Sequence, residues 1–346
     1  MLISELAVPE EAAVVAEKLR EGFRRPFLVA GQEIFVTPSI GIAVSPEAGI
    51  RPSSLVKNAD TAMYRAKDRG RNCWEVYAAD MNAAAHRRLT LEGDLHNAVE
   101  GGQLRVVYQP QVELDTGRIV GVEALVRWQH PTLGMIFPDT FIPLAEETGL
   151  IADIDDWVLA TASHQVSRWG DAGLPPLRLA VNLSAAAFAR SDVVERVRAT
   201  LEAAALPPGQ LELEITERMA VDENIYMGPI LRDLEALGVH LAIDDFGTGY
   251  SALSRLQGFP FHTLKIDRSF VMRIEDETDE APLVAAMIAM GRALDLEVVA
   301  EGVETASQQA FLGRHGCRLA QGYLFSRPVE AGALEQMLRA PAPVAA

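Results

Sequence analysis

Cysteine is nearly missing from this chain: Cys73 and Cys317 are the only two among 346 residues, far apart and outside any CxxC or Cys/His spacing. That argues against a disulfide framework and against a structural zinc site, and it fits a reducing, cytoplasmic setting. Long apolar runs are missing too. The longest, Leu283–Met290, falls well short of the ~20 residues of a membrane-spanning helix, and Pro282 and Arg292 flank it. The first twenty residues have neither a basic start nor a signal-like apolar core, so a soluble chain without a membrane span is expected. Basic residues are the third shortage, 31 Lys and Arg against 48 Asp and Glu, for a formal net charge of −17. Residues 1–80 hold 10 basic and 11 acidic side chains, whereas 81–346 hold 21 and 37. A surface that acidic repels a nucleic-acid backbone and argues against duplex DNA or RNA as a partner. It would equally repel a small phosphodiester, unless bound cations reverse the local field.

What is present is ordinary globular material. Apolar residues make up 49% and charged residues 23%, enough for two domains of typical size or one large domain with an appendage. Helical spacing runs through Ala12–Phe23 and, amphipathically, through Ser53–Arg69. Between them Pro26–Thr37 reads as a hairpin turning at Ala30-Gly31-Gln32, and Ser39–Val44 as a buried strand; Asn72–Tyr77 adds another strand. The stretch 81–101 reads as a linking helix ended by Gly101-Gly102.

Beyond it, short apolar runs alternate with helical segments: Leu177–Leu183, Leu211–Ile215, His240–Ile243, Thr263–Ile266, Glu297–Ala300 and Arg318–Ala320. Strand ends roughly 20 to 36 residues apart match the length of a strand–helix unit and predict a parallel α/β fold. Eight such units fit in ~250 residues, which favours a TIM-like (β/α)8 barrel over 102–340 above an open doubly wound sheet. No dinucleotide-type GxGxxG follows the first strand. Leu104–Leu114 and Arg118–Trp128 are joined by the turn Asp115-Thr116-Gly117, so one antiparallel strand is expected at the start of the barrel.

These runs carry or end on residues able to bind a metal or a phosphate. Glu123 lies within the second strand, Asn182 ends AVNLS, Glu214 lies in LEITE, and Asp244-Asp245 ends LAIDD. Lys265 and Asp267 sit in LKID, Glu301 in AEGVE and Gln321 in AQGY. Parallel barrel strands bring such ends to one mouth, where active sites of this architecture are built. A ring of hard oxygen donors without convergent His or Cys favours Mg²⁺ or Mn²⁺ over zinc. A single strand-end carboxylate is more often a helix cap or a solvated rim charge; six polar strand ends in register are much harder to attribute to capping.

The motifs YQPQ, EALVRW, FIPLAEETGLI, VNLS, LEITE, DDFGTGYSAL, LKIDRSF, AEGVE and QGYLFSRP together resemble, in order, the motif set of EAL-domain cyclic di-GMP phosphodiesterases, from about Leu89 to Val329. EAL alone is uninformative; DDFGTGYS followed by KID and EGVE at these spacings is specific. The resemblance implies two Mg²⁺ or Mn²⁺ ions per active site. Glu123, Asn182, Glu214 and Asp244 resemble the ligands of the first, and Asp244 would bridge to a second completed by Asp245 and Glu301. Lys265 would hold the attacking water with Asp267 in support. Glu217 resembles the glutamate that braces the loop Asp245–Ser251, which needs φ > 0 at Gly247 or Gly249; a salt bridge to Arg218 or Arg255 is its plainer alternative. Gln109, Leu125, Arg127, Glu304 and Gln321 resemble substrate contacts. The implied reaction is hydrolysis of cyclic di-GMP to linear pGpG, and a homodimer through barrel helices is the family-based expectation. A catalytically silent cyclic di-GMP receptor is the alternative, and a partner-binding scaffold a weaker one.

Within residues 1–80, SIGIAVSPEAG and NADTAMYRAKDRGRN resemble the C-terminal half of a GGDEF diguanylate cyclase domain without its signature loop. No cyclase activity is expected from them, and half a domain should bury its sheet poorly. Linker, dimer contact or regulation are the roles such a segment could fill. The basic helix bearing Lys57, Arg65, Lys67, Arg69 and Arg71 reads as a solvated face rather than a nucleotide site.

Overall fold

The computed structural model describes residues 1–346 other than 4, 5, 7, 9, 30, 31, 49, 50, 222–226, 249–257, 276–280 and 341–346. The chain divides into two compact units, Met1–Asp94 and Leu95–Ala346. Among the described residues no helix is long and apolar enough to cross a membrane.

In the first unit α1 (Glu11–Gly22) is followed by β1 (Phe27–Val29) and β2 (Gln32–Ile34), an antiparallel pair. The hairpin expected from Pro26 to Thr37 is present but shorter. Gln32 pairs with Val29 and so belongs to the strand rather than the turn, while Ala30 and Gly31 lie outside the described residues. Next come β3 (Ile40–Ile42), α2 (Pro52–Asp68) and β4 (Trp74–Val76), with β3 and β4 parallel; a parallel pair needs such a crossover helix. Helix α2 lies so close on β3 that a Cβ at Gly41 would fall 1.9 Å from the Ala59 carbonyl oxygen. Among the described residues one apolar cluster joins Ala12, Ala16 and Ile42, with Ile40, Val44 and Trp74 against them, and Ala48, Ala62, Ala66, Met81 and Leu91 are also buried. Phe27, Leu28 and Phe35 stay exposed, Leu28 by 74%.

Helix α3 (Ala79–Glu100) runs through the division between the units. The second unit contains β5 (Leu104–Glu113), β6 (Ile119–His130), β7 (Gly134–Ile136), β8 (Arg178–Asn182), β9 (Leu211–Thr216), β10 (His240–Phe246), β11 (Thr263–Ile266), β12 (Glu297–Ala300) and β13 (Leu319–Ala320). Their order, β5-β13-β12-β11-β10-β9-β8-β6, closes through β5–β6 into an eight-stranded barrel, the TIM-like architecture expected from the strand–helix spacing. Strand β5 is antiparallel to both neighbours and the remaining barrel pairs are parallel. Strand β7 adds a short antiparallel flap on β6.

Period-two alternation divides every strand between helix layer and lumen. Leu179, Val181, Leu211, Leu213, Ile215, Leu241, Ile243, Leu264 and Ile266 are each fully buried, and the helices cover them. Helices α4 (Pro138–Thr148) and α5 (Ile151–Asp171) belong to that outer layer, and α5 buries Ile151, Ile154, Val158, Leu159, Ala162 and Val166. Between them the lumen holds small or apolar residues such as Ala180, Ala242 and Val299 together with polar residues in two layers. At the strand starts Arg178 on β8 reaches Glu297 on β12 (2.5 Å) and Glu212 on β9 (3.5 Å), and the Thr263 hydroxyl donates to Glu212 at 2.5 Å. Burial raises the Glu212 pKa against the pull of Arg178. At the strand ends lies the second layer, which carries the candidate site.

Candidate active site

Lys265 is the centre of the upper layer. It stands two residues after Thr263 on β11, so the same alternation turns both into the lumen, and its side chain is 0% exposed. Nζ lies 2.6 Å from Glu214, 2.8 Å from Glu301, 3.4 Å from Glu123 and 3.5 Å from Asp244. These carboxylates come from β9, the turn after β12, β6 and β10, strands that only barrel closure brings together. Burial works against the ammonium, but Asp244, Glu123, Glu214 and Glu301 outweigh it and raise its pKa well above the usual lysine range. Four carboxylates around one ammonium cannot all ionise freely. Burial and the neighbouring charge of Glu123 push Glu214 well above the usual range. Burial, only partly offset by Lys265, pushes Glu301 up to about 8. Glu123 goes the other way: burial is overcome by Lys265 and by two amide donors, and its pKa is lowered.

Those amides are Asn182 and Gln321. Asn182 Nδ2 donates to Glu123 Oε1 at 2.9 Å. Gln321 Nε2 donates to Glu123 Oε2 at 2.6 Å and to Glu301 Oε1 at 2.9 Å. Gln321, read from the resemblance as a substrate contact, thus directs its NH₂ at two of the expected metal ligands, while its buried carbonyl oxygen has no hydrogen-bond partner.

Asp245 follows Asp244 with φ +55°, the left-handed region that short polar side chains tolerate best. Its N–H donates back to Asp244 Oδ1 at 2.9 Å. Burial first, then Asp244 and Asp267, raise the Asp245 pKa. Gly247 takes φ +96°, and a Cβ there would fall 2.5 Å from Met287 and 2.8 Å from the Phe270 ring, so glycine is required on both counts. The Gly247 N–H donates to the buried Glu217 carboxylate at 2.8 Å; Gly249, Tyr250, Ser251 and Arg255 lie outside the described residues. Asp267 accepts the Ser269 N–H at 3.0 Å and caps the helical turn Arg268–Val271. Gln109 on β5 is the register partner of Glu123, and Leu125 that of Val107. Arg127 is half-buried, with Nη1 donating to the Val126 carbonyl at 2.8 Å. Glu304 is exposed beyond β12.

The donor set suits hard divalent cations: carboxylates and one amide, no thiolate or imidazole. Neither Glu214 oxygen accepts a hydrogen bond, although Oε1 makes the 2.6 Å contact with Lys265; a buried carboxyl group so placed has coordination capacity to spare. Among the described residues no three such side chains are drawn close enough to grip an ion as they stand, and the Lys265 ammonium lies among four of the carboxylates.

Two further features escaped the sequence reading. Asp155 is buried on α5, accepts the Ser184 N–H at 2.9 Å just past the end of β8, and is pushed up to about 6 by burial. Its place four residues from both Ile151 and Leu159, on the apolar face, was the available signal. Glu212 alternates with Glu214 in LELEIT, and that two-residue spacing already puts both on one face of the strand.

Comparison with known proteins gives the family. The EAL domain model matches residues 92–328, and the diguanylate cyclase GGDEF domain model matches residues 1–73. The chain is 46% identical over 338 residues to the bifunctional diguanylate cyclase/cyclic di-GMP phosphodiesterase MucR of Pseudomonas aeruginosa, covering 98% of this chain and 49% of that protein. It is 42% identical over 342 residues to the cyclic di-GMP phosphodiesterase NbdA of the same organism, covering 98% and 43%. The chain therefore spans about half the length of the curated relatives it matches or less. The solved structure of the MucR phosphodiesterase in complex with c-di-GMP superposes with a TM-score of 0.68 at 47% identity, covering 71% of this chain and 99% of that one. On these matches the chain belongs to the EAL domain family, with part of a GGDEF domain ahead of the barrel.

Proposed function

We propose that the barrel hydrolyses cyclic di-GMP to linear pGpG by metal-assisted attack of water on a phosphodiester. The observation that carries this reading is the buried Lys265 ammonium among Glu123, Glu214, Asp244 and Glu301 at the strand ends, in a chain whose relatives MucR and NbdA are named cyclic di-GMP phosphodiesterases. Glu123, Asn182, Glu214, Asp244, Asp245 and Glu301 would hold two Mg²⁺ or Mn²⁺ ions, with Asp244 shared between them. When bound, such ions supply a nucleophile near neutral pH and stabilise the oxygens of an in-line displacement.

The chain's own side chains do the rest. Lys265 has three N–H donors and a charge held firmly by its neighbours, which suits it to orient the attacking water rather than to give up its proton. Asp267 supports from the following turn. Arg127 offers a forked donor to a non-bridging phosphate oxygen, and Gln109, Leu125, Glu304 and Gln321 complete the substrate contacts. Glu217 acts at one remove: by holding the Gly247 N–H it braces the backbone that presents Asp244 and Asp245. A homodimer and a cytoplasmic setting belong to the same proposal.

Calorimetry of the full chain with cyclic di-GMP, with and without Mg²⁺, tests it. Sustained heat of turnover only with Mg²⁺, accompanied by pGpG, is the expected result. Simple saturable binding without product would assign a silent receptor, and no heat under either condition a scaffold.

A further inference from the structure

Arg127 and Phe137 meet near the end of β6, on the side of the barrel that carries Lys265 and its carboxylates. The Arg127 guanidinium lies over the Phe137 ring, 5.5 Å from its centroid, while Nη1 is anchored on the Val126 carbonyl. The ring is 58% exposed, although it sits between the buried Ile136 and the turn that opens α4. The ring thus combines contact with the guanidinium and more than half its surface open to solvent. Burial lowers the Arg127 pKa, and Tyr323 and Glu123 are the leading opposing influences, which places both in the field of this arginine. Tyr323, two residues after Gln321, is itself 47% exposed and carries the Arg327 guanidinium 4.3 Å from its ring centroid. A second arginine-backed aromatic ring, Tyr323, thus lies within the electrostatic reach of the expected phosphate contact.

We infer that Phe137, held from behind by Arg127, is a stacking platform for one guanine base of the cyclic dinucleotide and so a specificity-determining residue of the site. The inference rests on the phosphodiesterase reading above. A cyclic dinucleotide presents phosphates and flat purines within one small ring. A guanidinium that reaches a phosphate oxygen therefore leaves an adjoining base within reach of the ring stacked on that same guanidinium. Stacking uses the π-face of both partners, and a cation on the far side of the ring is the arrangement aromatic quadrupoles favour. Nothing in α4 needs Phe137 for packing; Phe141, Leu144 and Ala145 supply its buried face.

The test compares Phe137→Ala, Phe137→Leu and Phe137→Trp in the full chain. The kinetics of cyclic di-GMP hydrolysis are read beside the fluorescence of a cyclic dinucleotide in which 2-aminopurine replaces one guanine. Phe137→Ala should raise KM about tenfold, ~1.4 kcal/mol and within the range of base–aromatic stacking, with kcat changed less than about twofold. Phe137→Leu should fail to restore KM and Phe137→Trp should restore it. The quenching seen on binding to the parent protein should be lost with Ala and Leu. A KM for Phe137→Ala equal to the parent's overturns the inference while leaving the phosphodiesterase reading intact. So does rescue by Leu equal to that by Trp, because a merely apolar contact would then suffice. A parent protein that neither binds nor turns over cyclic di-GMP removes both. A shift in oligomeric state with unchanged KM would assign the ring to a contact between copies and overturn the stacking role.

Discussion

Replacing Lys265 by Met isolates the charge at the centre of the barrel. The two side chains have similar length and both are unbranched, so packing is largely kept while the ammonium is lost. Four carboxylates lie within 3.5 Å of Nζ, and the lysine is 0% exposed, so water cannot take over its role. Removing one partner of a buried ion pair costs about 3–5 kcal/mol. Some of this is recovered by protons, since burial already holds the Glu301 pKa near 8 and raises Glu214. For a barrel of this size each kcal/mol is worth roughly 2–4 °C, so a fall of roughly 6–20 °C in melting temperature is expected in EDTA. Saturating Mg²⁺ or Mn²⁺ should recover most of it, because divalent ions neutralise the same carboxylates and bind only the folded chain. Turnover should drop sharply while affinity for cyclic di-GMP stays within a few-fold. Melts at pH 8 with EDTA and with Mg²⁺, read beside steady-state hydrolysis, check all three. A variant melting within about 2 °C of the parent in EDTA would refute the counter-charge role; equal losses of affinity and turnover would make Lys265 a substrate-binding residue.

Three other perturbations reach different parts of the same cluster. Asp244→Asn removes one anionic oxygen from the residue proposed to bridge both ions, and turnover should fall by on the order of 4 kcal/mol or more. Its EDTA melt should be unchanged or slightly higher because self-repulsion eases; more than about a tenth of parent activity at saturating metal rules out bridging. Glu217→Ala takes away the acceptor of the Gly247 N–H and should raise the metal concentration needed for activity, whereas parent-like turnover at limiting Mg²⁺ would exclude bracing. Glu301, raised by burial from 4.5 to about 8, keeps its proton in the folded state where the unfolded chain has lost it. The Glu301 contribution to stability in EDTA should therefore be fullest below pH 4.5 and decline toward pH 8, with Asp155 adding the same sign between 3.8 and about 6 and the lowered Glu123 opposing it only at lower pH. A melting temperature in EDTA that climbs from pH 5 to pH 8 contradicts that assignment.

The barrel was legible because parallel strands buried under helices are short apolar runs with polar ends. Thr263–Ile266 and Glu297–Ala300 emerge at the bounds read from the sequence, and the antiparallel β5 follows from the turn at Asp115-Thr116-Gly117. What escaped was the wiring inside the lumen. Gln321 donates to Glu123 from 198 residues away, and Arg178 meets Glu297 across 119; no local periodicity reports such contacts. The wedge made by Lys265 is likewise a product of closure, since it depends on where a side chain comes to rest among partners from other strands, whereas the Asp267 cap on Ser269 is local. In the first unit, Gln32, expected in the turn of the hairpin, belongs instead to the strand because it completes the ladder opposite Val29.

The Arg178–Glu297 contact bears on how the chain avoids folding wrongly. In the closed strand order β8 and β12 stand four places apart, opposite each other, so the ion pair forms only when the intervening strands are in place. Glu212 and Thr263 are 0% exposed, and a sheet left partly open would leave them wet and unmatched. A slip of one residue in β11 would turn Lys265 out among the helices and point Leu264 into the charged lumen. Each misaligned arrangement would strand a buried charge without a partner, at a cost of several kcal/mol. A lumen filled with leucine and valine would penalise such slips far less. The stacked charges thus proofread strand register, rejecting near-native barrels that the apolar outer faces of the strands would tolerate.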